Sequence, residues 1–504
     1  MTIGQRILEI IDWYPKGMSL EERKLVNKID WLVLSFSCIS FFTKNLDVSA
    51  LTNAYISGMD KDLHLTGNQF SYANSMYYVG YCLFQIPSNI VLTRLPAEYY
   101  LPAAEVAWGL FTLGTAFIKN YKQLMIFRFF VGLSATACWV GNAHIVNSWY
   151  TRQELGKRNA IYGCVYPLGA MFAGYLQAAA LNLHGSHGMA GWRWLFVICS
   201  IITIPCAIIG VFFCPNVPDR TNSRFLNTRE RQLAVERLLK DGFGMTQGIG
   251  RSLIKRIFGN WRVYVFFIVG NLYWMTPYPS TIPYAFWLKA KGYPDAMVNN
   301  LSTITYAATI VSTMLCGWYS DWRRNRVETM LYGGVLILVC NVILLVWNVP
   351  AGAKFFAFIG LGLASGPTNL IVPWLAENMS HDLEARSASI AIVNVGWVVI
   401  NLVVPLVAWP SSKAPTYKGG YIWSVVTSVI QLILLPLPIF FERRELKRGI
   451  NYRARVMQDA GLTAAGEAEK TEGIVTEGVE PETEILGEVI DYEKEDTKIK
   501  TVEV

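Results

Sequence analysis

Long apolar stretches dominate the chain and restrict it to folds that a lipid bilayer can hold. A window of about 19 residues finds twelve apolar segments, each close to the ~20 residues that a membrane-spanning helix needs. Hydrophobic residues make up 53% of the 504 residues and charged residues only 16%, with a mean hydropathy of +0.30. A soluble domain carries about 25% charged residues. The sequence therefore predicts an all-α polytopic membrane protein.

The predicted spans form two sets of six on either side of a polar segment. In the first half they lie at 30–56, 71–93, 100–118, 124–148, 159–181 and 193–213. In the second half they lie at 262–288, 297–319, 329–347, 354–376, 386–408 and 420–441. The stretch "WMTPYPSTIPYAFW" places three prolines inside the seventh span. A backbone broken in this way is stable at membrane depth only inside protein or beside a water-filled cavity.

Charge and composition divide the chain further. We expect five parts: a cytoplasmic N-terminal segment (1–29), an N-terminal six-helix half (30–213), a basic cytoplasmic linker (214–261), a C-terminal six-helix half (262–441) and a cytoplasmic tail (442–504). The tail is acidic and poor in aromatic residues, so we expect it to be disordered. Within the linker, "TRERQLAVERLLKDG" predicts a short amphipathic helix at the membrane surface, with Thr228 as its N-cap.

Basic residues concentrate in loops on one side of the predicted spans. More positive charge lies on this side, in the linker and the loops "TRQELGKRN", "DWRRNR" and "ERRELKRG", than in the loops at the opposite ends of the spans. By the positive-inside rule these loops are cytoplasmic, and both chain termini are then cytoplasmic as well. The formal net charge of +7 therefore reflects orientation in the membrane. We expect the lipid bilayer, and no nucleic acid, as a partner.

The polar segments carry no pattern typical of an enzyme. The nine cysteines lie within or at the ends of apolar runs, without a CxxC pair or zinc-binding spacing. Since phosphate loops and nucleophile elbows are also missing from the sequence, we expect neither catalysis nor a cofactor. Two six-span halves are typical of a secondary transporter, with its site at the midplane between them. A nutrient sensor with little transport is the alternative that the linker and tail leave open, and a channel fits poorly.

Several stretches resemble the major facilitator superfamily. "GWYSDWRRNR" (317–326), between the eighth and ninth spans, is similar to the glycine- and arginine-containing loop of that superfamily, and "RFFVG" and "GWRWLF" resemble parts of its fourth and sixth spans. The resemblance implies the major facilitator fold, with twelve transmembrane helices in two halves. In the loop, we expect Gly317 to allow close helix approach. Asp321, Arg323 and Arg324 would tie neighbouring helix ends together.

A narrower resemblance is to the fungal anion:cation symporters of the allantoate permease family. It rests on "LTNAYISGMDKDL", "GYCLFQIPSNIVLTR", "YLPAAEVAWG" and "LVVPLVAWPSSKAP", and the subgroup with pantothenate and biotin proton symporters is most similar. The resemblance implies a monomeric, proton-coupled importer of a small organic anion at the fungal plasma membrane. A vitamin-type monocarboxylate such as pantothenate or biotin comes first, and allantoate, nicotinate or another organic anion is the alternative.

Lys44 and Asp47 interrupt the first span. They are three residues apart and so lie on one helix face, where a charge near the bilayer centre costs about 2.5–3.5 kcal/mol. One interpretation is a buried ion pair that fixes packing. In the other, which we favour, ionised Asp47 holds Lys44, and protonation of Asp47 frees Lys44 to receive a substrate carboxylate. Many members of the resembling family carry an acid where this chain has Ala135, which makes Asp47 the stronger candidate for the proton carrier.

Other polar residues in the spans are candidates for the same site. Arg128, near the extracellular end of the fourth span, is either a counter-charge for Asp47 or Glu105, or a second contact for the anion. We expect Glu105 itself to lie at the membrane interface. Six more residues could line the cavity or hydrogen-bond helix to helix; they are Asn142, Asn271, Tyr273, Tyr278, Asn369 and Asn394.

Overall fold

The computed structural model describes residues 14, 18–214, 216–218, 221, 225–240, 251–323, 325–379 and 383–447. These residues are almost entirely helical and include no β-strand. Of the described residues, those up to Glu442 form one compact unit and those from Arg443 to Lys447 belong to a second. The predicted tail beyond Lys447 lies outside the described residues.

The N-terminal half consists of six long helices preceded by a short one. α1 (Leu20–Ile29) continues through a π-helical turn (Asp30–Leu34) into α2 (Ser35–Ala54). The other helices of this half are α3 (Gln69–Arg94), α4 (Ala97–Thr115), α5 (Tyr121–Trp149), α6 (Arg152–Ala180) and α7 (Gly191–Phe213). Two linker helices follow, which are α8 (Thr228–Lys240) and α9 (Arg251–Phe258).

The C-terminal half contains more interruptions. Its helices are α10 (Trp261–Met275), α11 (Ile282–Ala290), α12 (Asp295–Arg323), α13 (Arg326–Val346), α14 (Ala351–Ala364), α15 (Ile371–Asn378), α16 (Leu383–Val407), α17 (Lys418–Leu434) and α18 (Leu437–Lys447). A continuous or broken helix therefore lies at each of the twelve predicted spans.

Eight helical stretches of the described chain are long and apolar enough to cross a membrane. The four predicted spans outside this set are helical but shorter or more polar. α10 has only 15 residues, while α3, α4 and α5 carry tyrosine, asparagine, glutamate or arginine among their apolar side chains. Fewer helices meet the criterion of length and apolarity than lie at predicted spans. For α3, α4 and α5 the reason is that they carry buried polar groups.

The break predicted in the seventh span is present. A 3₁₀ turn at Tyr278–Ser280 separates α10 from α11, and the prolines remove backbone donors from this stretch. Side chains of the C-terminal half enclose it. Thr276 Oγ1 donates to Gln431 Oε1 at 3.0 Å, and Asn341 Nδ2 donates to the Thr276 carbonyl at 3.2 Å. The broken backbone is thus surrounded by protein, as non-helical chain at membrane depth requires.

Two helix pairs join the halves along their length. α3 packs against α16, and α6 packs against α12. The second contact is closest at Gly174, where a Cβ atom would lie 2.8 Å from Thr303 Cγ2 and 3.0 Å from the Asn299 carbonyl oxygen. Only glycine, which has no Cβ, allows α6 and α12 to come so near at this point.

Polar bonds between the halves close one end of the molecule. We call it the gate end, and it consists of Ile56, Ser57 and Asp60 in the N-terminal half with Lys289 and Asn299 in the C-terminal half. Lys289 Nζ donates to the Ile56 carbonyl at 2.6 Å and lies 3.7 Å from Asp60 Oδ2. Asn299 Nδ2 donates to Ser57 Oγ at 2.9 Å. These bonds hold α11 and α12 against the chain that follows α2.

Aromatic rings fill the space next to these bonds. Tyr55 lies 4.3 Å from Phe70 and 5.3 Å from Phe286, and Phe70 lies 5.6 Å from Phe286, measured between ring centres. Rings at such separations are in contact. Farther along, the Ser411 N–H donates to Ser71 Oγ at 3.2 Å. The gate end is shut in this structure.

At the opposite end of the N-terminal half, α1 and α8 cover the helix ends. Arg237 Nη1 of α8 donates to Glu154 Oε1 at 2.8 Å, and both side chains are almost fully buried. Arg158 Nε and Asp30 Oδ1 form a second ion pair at 2.7 Å. The amphipathic linker helix predicted from the sequence is confirmed. It begins at Thr228, so this residue is helical and is not the N-cap.

The loop predicted to tie helix ends together lies between α12 and α13. Contrary to the prediction, Gly317 provides no close approach, since no described heavy atom lies within 4 Å of the place its Cβ would occupy. Arg323 Nε lies 3.4 Å from Glu328 Oε2, and both side chains are exposed. Arg324 and the side chain of Asp321 lie outside the described residues.

Candidate substrate and proton site

Among the described residues, four side chains of charged type are buried between the two ends of the N-terminal half. With their exposed fractions, they are Lys44 (6%) and Asp47 (1%) of α2, Glu105 (1%) of α4 and Arg128 (2%) of α5. Charges at membrane depth are costly and mark substrate or ion paths. All four lie in the described part of the chain, and no two of them approach within the 4.0 Å of an ion pair.

The Lys44 ammonium lies over aromatic rings and not beside a carboxylate. Its Nζ is 5.4 Å from the centre of the Phe41 ring and 5.8 Å from that of Tyr81. Such cation–π attraction is worth about 0.5–2 kcal/mol and leaves the ammonium hydrogens available. The interpretation of Lys44 and Asp47 as an ion pair is therefore wrong for this structure. Ionised Asp47 does not hold Lys44, because the two side chains meet different neighbouring helices.

The rings near Lys44 form a cluster from four helices. Phe41 stacks on Tyr162 with ring centres 4.7 Å apart, and Trp139 lies 5.1 Å from Phe41 and 5.7 Å from Tyr162. We call Phe41, Tyr81, Trp139 and Tyr162 the aromatic cluster. Because the rings of Phe41, Trp139 and Tyr162 pack on one another, the cluster fixes the position of the ammonium without neutralising its charge.

Asp47 faces α7. Thr203 Oγ1 donates to Asp47 Oδ2 at 3.2 Å, and Oδ1 has no hydrogen-bond partner among the described atoms. Glu105 and Arg128 are close enough to interact with Asp47 electrostatically. Arg128 makes no direct contact with Asp47, so the structure gives Asp47 no ion-pair partner among the described residues.

Glu105 is buried, and the prediction that it lies at the membrane interface is wrong. Thr43 Oγ1 donates to Glu105 Oε1 at 2.8 Å, so the carboxyl of α4 is attached to α2 at the residue before Lys44. Glu105 Oε2 has no hydrogen-bond partner within the described residues. The apolar flanks in "PAAEVAW" are the signal that could have placed it inside the half.

Arg128 and Asn142 both belong to α5 but differ in role. The Arg128 guanidinium lies 5.4 Å from the centre of the Tyr77 ring. Its Nε and Nη2 atoms are buried without a hydrogen-bond partner in the described chain, so a second contact for the anion stays a prediction. Asn142 Nδ2 donates to Ser40 Oγ at 3.2 Å and to Cys138 Sγ at 3.4 Å. Asn142 therefore joins α5 to α2.

Asn271 and Tyr273 join helices within the C-terminal half. Asn271 Nδ2 donates to the carbonyls of Phe267 and Val393 at 2.7 and 3.3 Å. Tyr273 is fully buried, and its hydroxyl donates to the Met330 carbonyl at 2.8 Å. Both side chains therefore hydrogen-bond helix to helix and do not line a cavity. Of the two alternatives that the sequence left open, this is the helix-linking one.

Asn369 and Asn394 face the N-terminal half. Asn369 Nδ2 donates to Thr313 Oγ1 at 3.1 Å, and a Cβ atom at Gly163 of α6 would lie 3.5 Å from Asn369 Cγ. Asn394 of α16 interacts with Tyr81 of the aromatic cluster. One turn along α16, Trp397 meets Tyr78 of α3 edge to face, with ring centres 6.1 Å apart. Through Tyr81, whose ring centre lies 5.8 Å from Lys44 Nζ, Asn394 connects the C-terminal half to the surroundings of Lys44.

Four tyrosines, two from each half, converge between the halves. Tyr78 interacts electrostatically with Tyr166 of α6, with Tyr278 and with Tyr306 of α12. Tyr166 is 43% exposed. The sequence pattern singles out only Tyr278, because nothing local distinguishes such a tyrosine from one in the interfacial aromatic belt.

The match to a known family covers both halves. Residues 37–438 match the family model described as the Major Facilitator Superfamily. The chain belongs to this superfamily. The fold and the resemblance predicted from the sequence are therefore confirmed, and the protein is a multi-pass membrane transporter.

Two relatives and one solved structure show how the chain compares within the superfamily. The MFS transporter PfmaC of Pestalotiopsis fici is 34% identical over 445 residues, which is 86% of this chain and 83% of the relative. The pantothenate transporter liz1 of Schizosaccharomyces pombe is 31% identical over 441 residues, or 86% and 85%. The proton:xylose symporter XylE from E. coli, bound to 6-bromo-6-deoxy-D-glucose, aligns with a TM-score of 0.64 at 14% identity, covering 81% of this chain and 95% of XylE. The last comparison supports the fold alone.

In a transporter of this superfamily, the arrangement offers an ammonium, two carboxyls and a guanidinium buried inside the N-terminal half. The ammonium can pair with an anion, and the carboxyls can gain and lose protons. Aromatic and amide groups of α3, α6 and α16 can contact the rest of a small solute, as in other ligand pockets with few polar groups.

Proposed function

We propose that this transporter imports a small organic monocarboxylate together with a proton. The observation that carries the proposal is the buried ammonium of Lys44, which the aromatic cluster holds and which has no carboxylate partner among the described residues. A substrate carboxylate would supply the missing charge. The aromatic rings would exclude water from the pair and so strengthen it.

Charge balance explains why a proton would accompany the anion. Lys44 and Arg128 carry two positive charges, and Asp47 and Glu105 carry two negative charges when ionised. A bound carboxylate adds one negative charge, and a single proton on either carboxyl restores neutrality. Since a net charge is penalised in a low-dielectric interior, the neutral loaded site would cross the midplane most readily. We therefore propose symport of one proton per monocarboxylate.

We propose vitamin-type acids as the substrates, with pantothenate first and biotin next. The relative liz1 bears the name of a pantothenate transporter, and the amide of Asn394 with the rings of Tyr81 and Trp397 would suit a solute with both polar and apolar parts. Allantoate, nicotinate or another organic anion is the alternative within the same chemistry. The name of PfmaC includes no substrate, so this relative does not support one of these acids over another.

We place the protein in the fungal plasma membrane as a monomer, with both termini in the cytoplasm. Basic side chains such as Arg158, Arg237 and Arg326 lie at the end away from the gate, which supports a cytoplasmic assignment for that end by the positive-inside rule. The gate end is then extracellular. On this orientation the structure is a state closed to the outside.

Uptake in a yeast strain that lacks its own pantothenate and biotin transporters tests the proposal. We expect expression of this chain to restore saturable uptake of a labelled vitamin, faster in acidic than in neutral medium and abolished by a protonophore. Normal surface expression without uptake of any of the four anions would reject transport and favour a sensor. Uptake that ignores pH and protonophore would reject proton coupling.

A further inference from the structure

We propose that the gate end of the C-terminal half holds an anion site, formed by the Lys354 ammonium and the N-terminus of α14. The site takes a small oxyanion, which is either the carboxylate of a free acid or the phosphate of a lipid headgroup. It belongs to the half that does not carry the buried charge cluster. The inference therefore goes beyond the proposed function and does not depend on what Lys44 binds.

Lys354 is the residue that points to a ligand. It lies in the first turn of α14 and is only 8% exposed. No acidic side chain of the described chain lies within the 4.0 Å of an ion pair with its ammonium, which has no hydrogen-bond partner there either. Burying a charge without a counter-ion is costly. An anion from outside the chain would therefore stabilise Lys354.

The ammonium of Lys354 lies at the N-terminal end of its helix. Its Nζ atom is 4.1 Å from the centre of the Trp347 ring, and Trp347 belongs to the short connection between α13 and α14. The ring of Tyr421 packs against that of Trp347, with ring centres 5.6 Å apart. The cation–π contact thus fixes the position of the ammonium, but it supplies no negative charge.

The start of α14 is a second source of positive potential at the same place. The N-terminus of a helix carries a partial positive charge and backbone N–H groups without helical acceptors. No side chain caps α14 within the described structure, and its first turn contains no acidic residue. A lysine in this turn opposes the helix dipole, whereas an anion would interact favourably with both.

The first turn of α14 is open to a ligand. Ala351 and Gly352 are exposed, and no described heavy atom lies within 4 Å of the place that a Gly352 Cβ would occupy. A small anion can therefore approach the first N–H groups of α14 from outside the protein. There it would provide the counter-charge that Lys354 lacks.

Lys291 adds positive charge and connects the site to the gate. It interacts electrostatically with Lys354 and is the C-cap residue of α11, the helix that carries Lys289. Trp287 of α11 meets Phe355, the residue after Lys354, edge to face with ring centres 5.1 Å apart. Neighbouring like charges attract anions to a surface. The site therefore lies beside the gate that an anion from this side has to pass.

Thiol labelling of Ala351→Cys measures the potential at the site. We expect an anionic methanethiosulfonate to label this cysteine faster than a cationic one, and Lys354→Met to lower the ratio of the two rates about fivefold. Lys354→Arg should keep the ratio. Lys122→Met, at an exposed position in the first turn of α5, is the control and should keep it as well. A ratio that Lys354→Met leaves unchanged would overturn the proposal.

Protection from labelling tests whether an anion occupies the site. In detergent, saturating acetate or pantothenate should slow the reaction of Ala351→Cys with a neutral maleimide at least about fivefold, at an ionic strength held constant with sodium chloride. Lys354→Met should abolish this protection, and Lys44→Met should leave it intact. Protection that disappears in Lys44→Met and persists in Lys354→Met would come from the central site and overturn the proposal.

Lipid composition separates the two sources of the oxyanion. Protection by the acids in detergent identifies a free carboxylate. Slower labelling in vesicles of phosphatidylcholine with phosphatidylglycerol than in phosphatidylcholine alone, removed by Lys354→Met and without protection by the acids, identifies a lipid phosphate. Absence of both effects overturns the proposal. Wild type that fails to take up any acid would reject the proposed function without changing these labelling rates.

A second measurement applies even where the cysteine variant is poorly produced. Ala351→Asp places a carboxylate of the chain itself in the first turn of α14. It should raise the thermal transition in detergent by more in the wild-type background than in Lys354→Met, because only the former has the ammonium to pair with. Equal shifts in the two backgrounds would overturn the proposal.

Discussion

The bonds of Lys289 allow the gate end to be weakened by one substitution. Lys289→Met keeps the length of the side chain but removes the hydrogen bond to the Ile56 carbonyl and the contact with Asp60. A hydrogen bond from a charged group contributes about 1.5–3 kcal/mol, and the 30% exposure of Lys289 places this one near the lower limit. The partly exposed ion pair adds at most about 1 kcal/mol. We expect the closed state to lose about 2 kcal/mol, which shifts the ratio of open to closed molecules about thirtyfold.

Thiol labelling measures this shift. Phe70 is 2% exposed within the gate, so a cysteine introduced by Phe70→Cys should be protected while the gate is closed. A membrane-impermeant maleimide should label it at least about tenfold faster when Lys289→Met is added. The chain without Phe70→Cys gives the background from the native cysteines. Lys291→Met, on the exposed surface nearby, is the control and should leave the rate unchanged. Equal rates with and without Lys289 would refute the assignment of these bonds to gate closure.

Three further substitutions separate residues that stabilise packing from residues that bind substrate. Arg237→Met leaves Glu154 buried without its cation and should lower the free energy of unfolding by about 3–5 kcal/mol. In detergent this variant should unfold at a lower temperature than wild type, whereas the control Arg229→Met, at an exposed position, should not. Equal transition temperatures for the two variants would contradict a stabilising role for the buried pair. Tyr273→Phe should cost about 1 kcal/mol of stability without changing the KM for uptake. Asn394→Ala should raise the KM for uptake and leave stability unchanged. A changed KM in Tyr273→Phe, or lower stability with an unchanged KM in Asn394→Ala, would contradict the roles assigned to these two residues.

The sequence predicts the helices well because hydropathy is a local property. Twelve apolar segments predict twelve helical positions, and the prolines of the seventh span predict its break. Lys44 and Asp47 are also correctly expected to be buried, since they lie in the middle of an apolar run. These predictions need only neighbours along the chain.

The partners of those side chains depend on helix packing, which the sequence does not encode locally. Asp47 meets Thr203, 156 positions away, and Glu105 meets Thr43, 62 positions away. Helical periodicity gives the face of α2 on which Lys44 and Asp47 lie, but it does not say which helix each side chain reaches. For the same reason, Glu105 could be mistaken for an interfacial acid.

The central claim is that the Lys44 ammonium binds the carboxylate of the substrate. Equilibrium binding tests this claim most directly. Labelled pantothenate, or whichever acid uptake identifies, would be titrated onto purified wild type, Lys44→Met and Lys44→Arg, with the corresponding alcohol as competitor. Loss of a desolvated ion pair costs about 2–5 kcal/mol, so Lys44→Met should bind the acid at least about thirtyfold more weakly and no longer prefer it to the alcohol. Lys44→Arg should retain much of that preference. Wild-type affinity for the acid in Lys44→Met, with the preference over the alcohol intact, would contradict the claim.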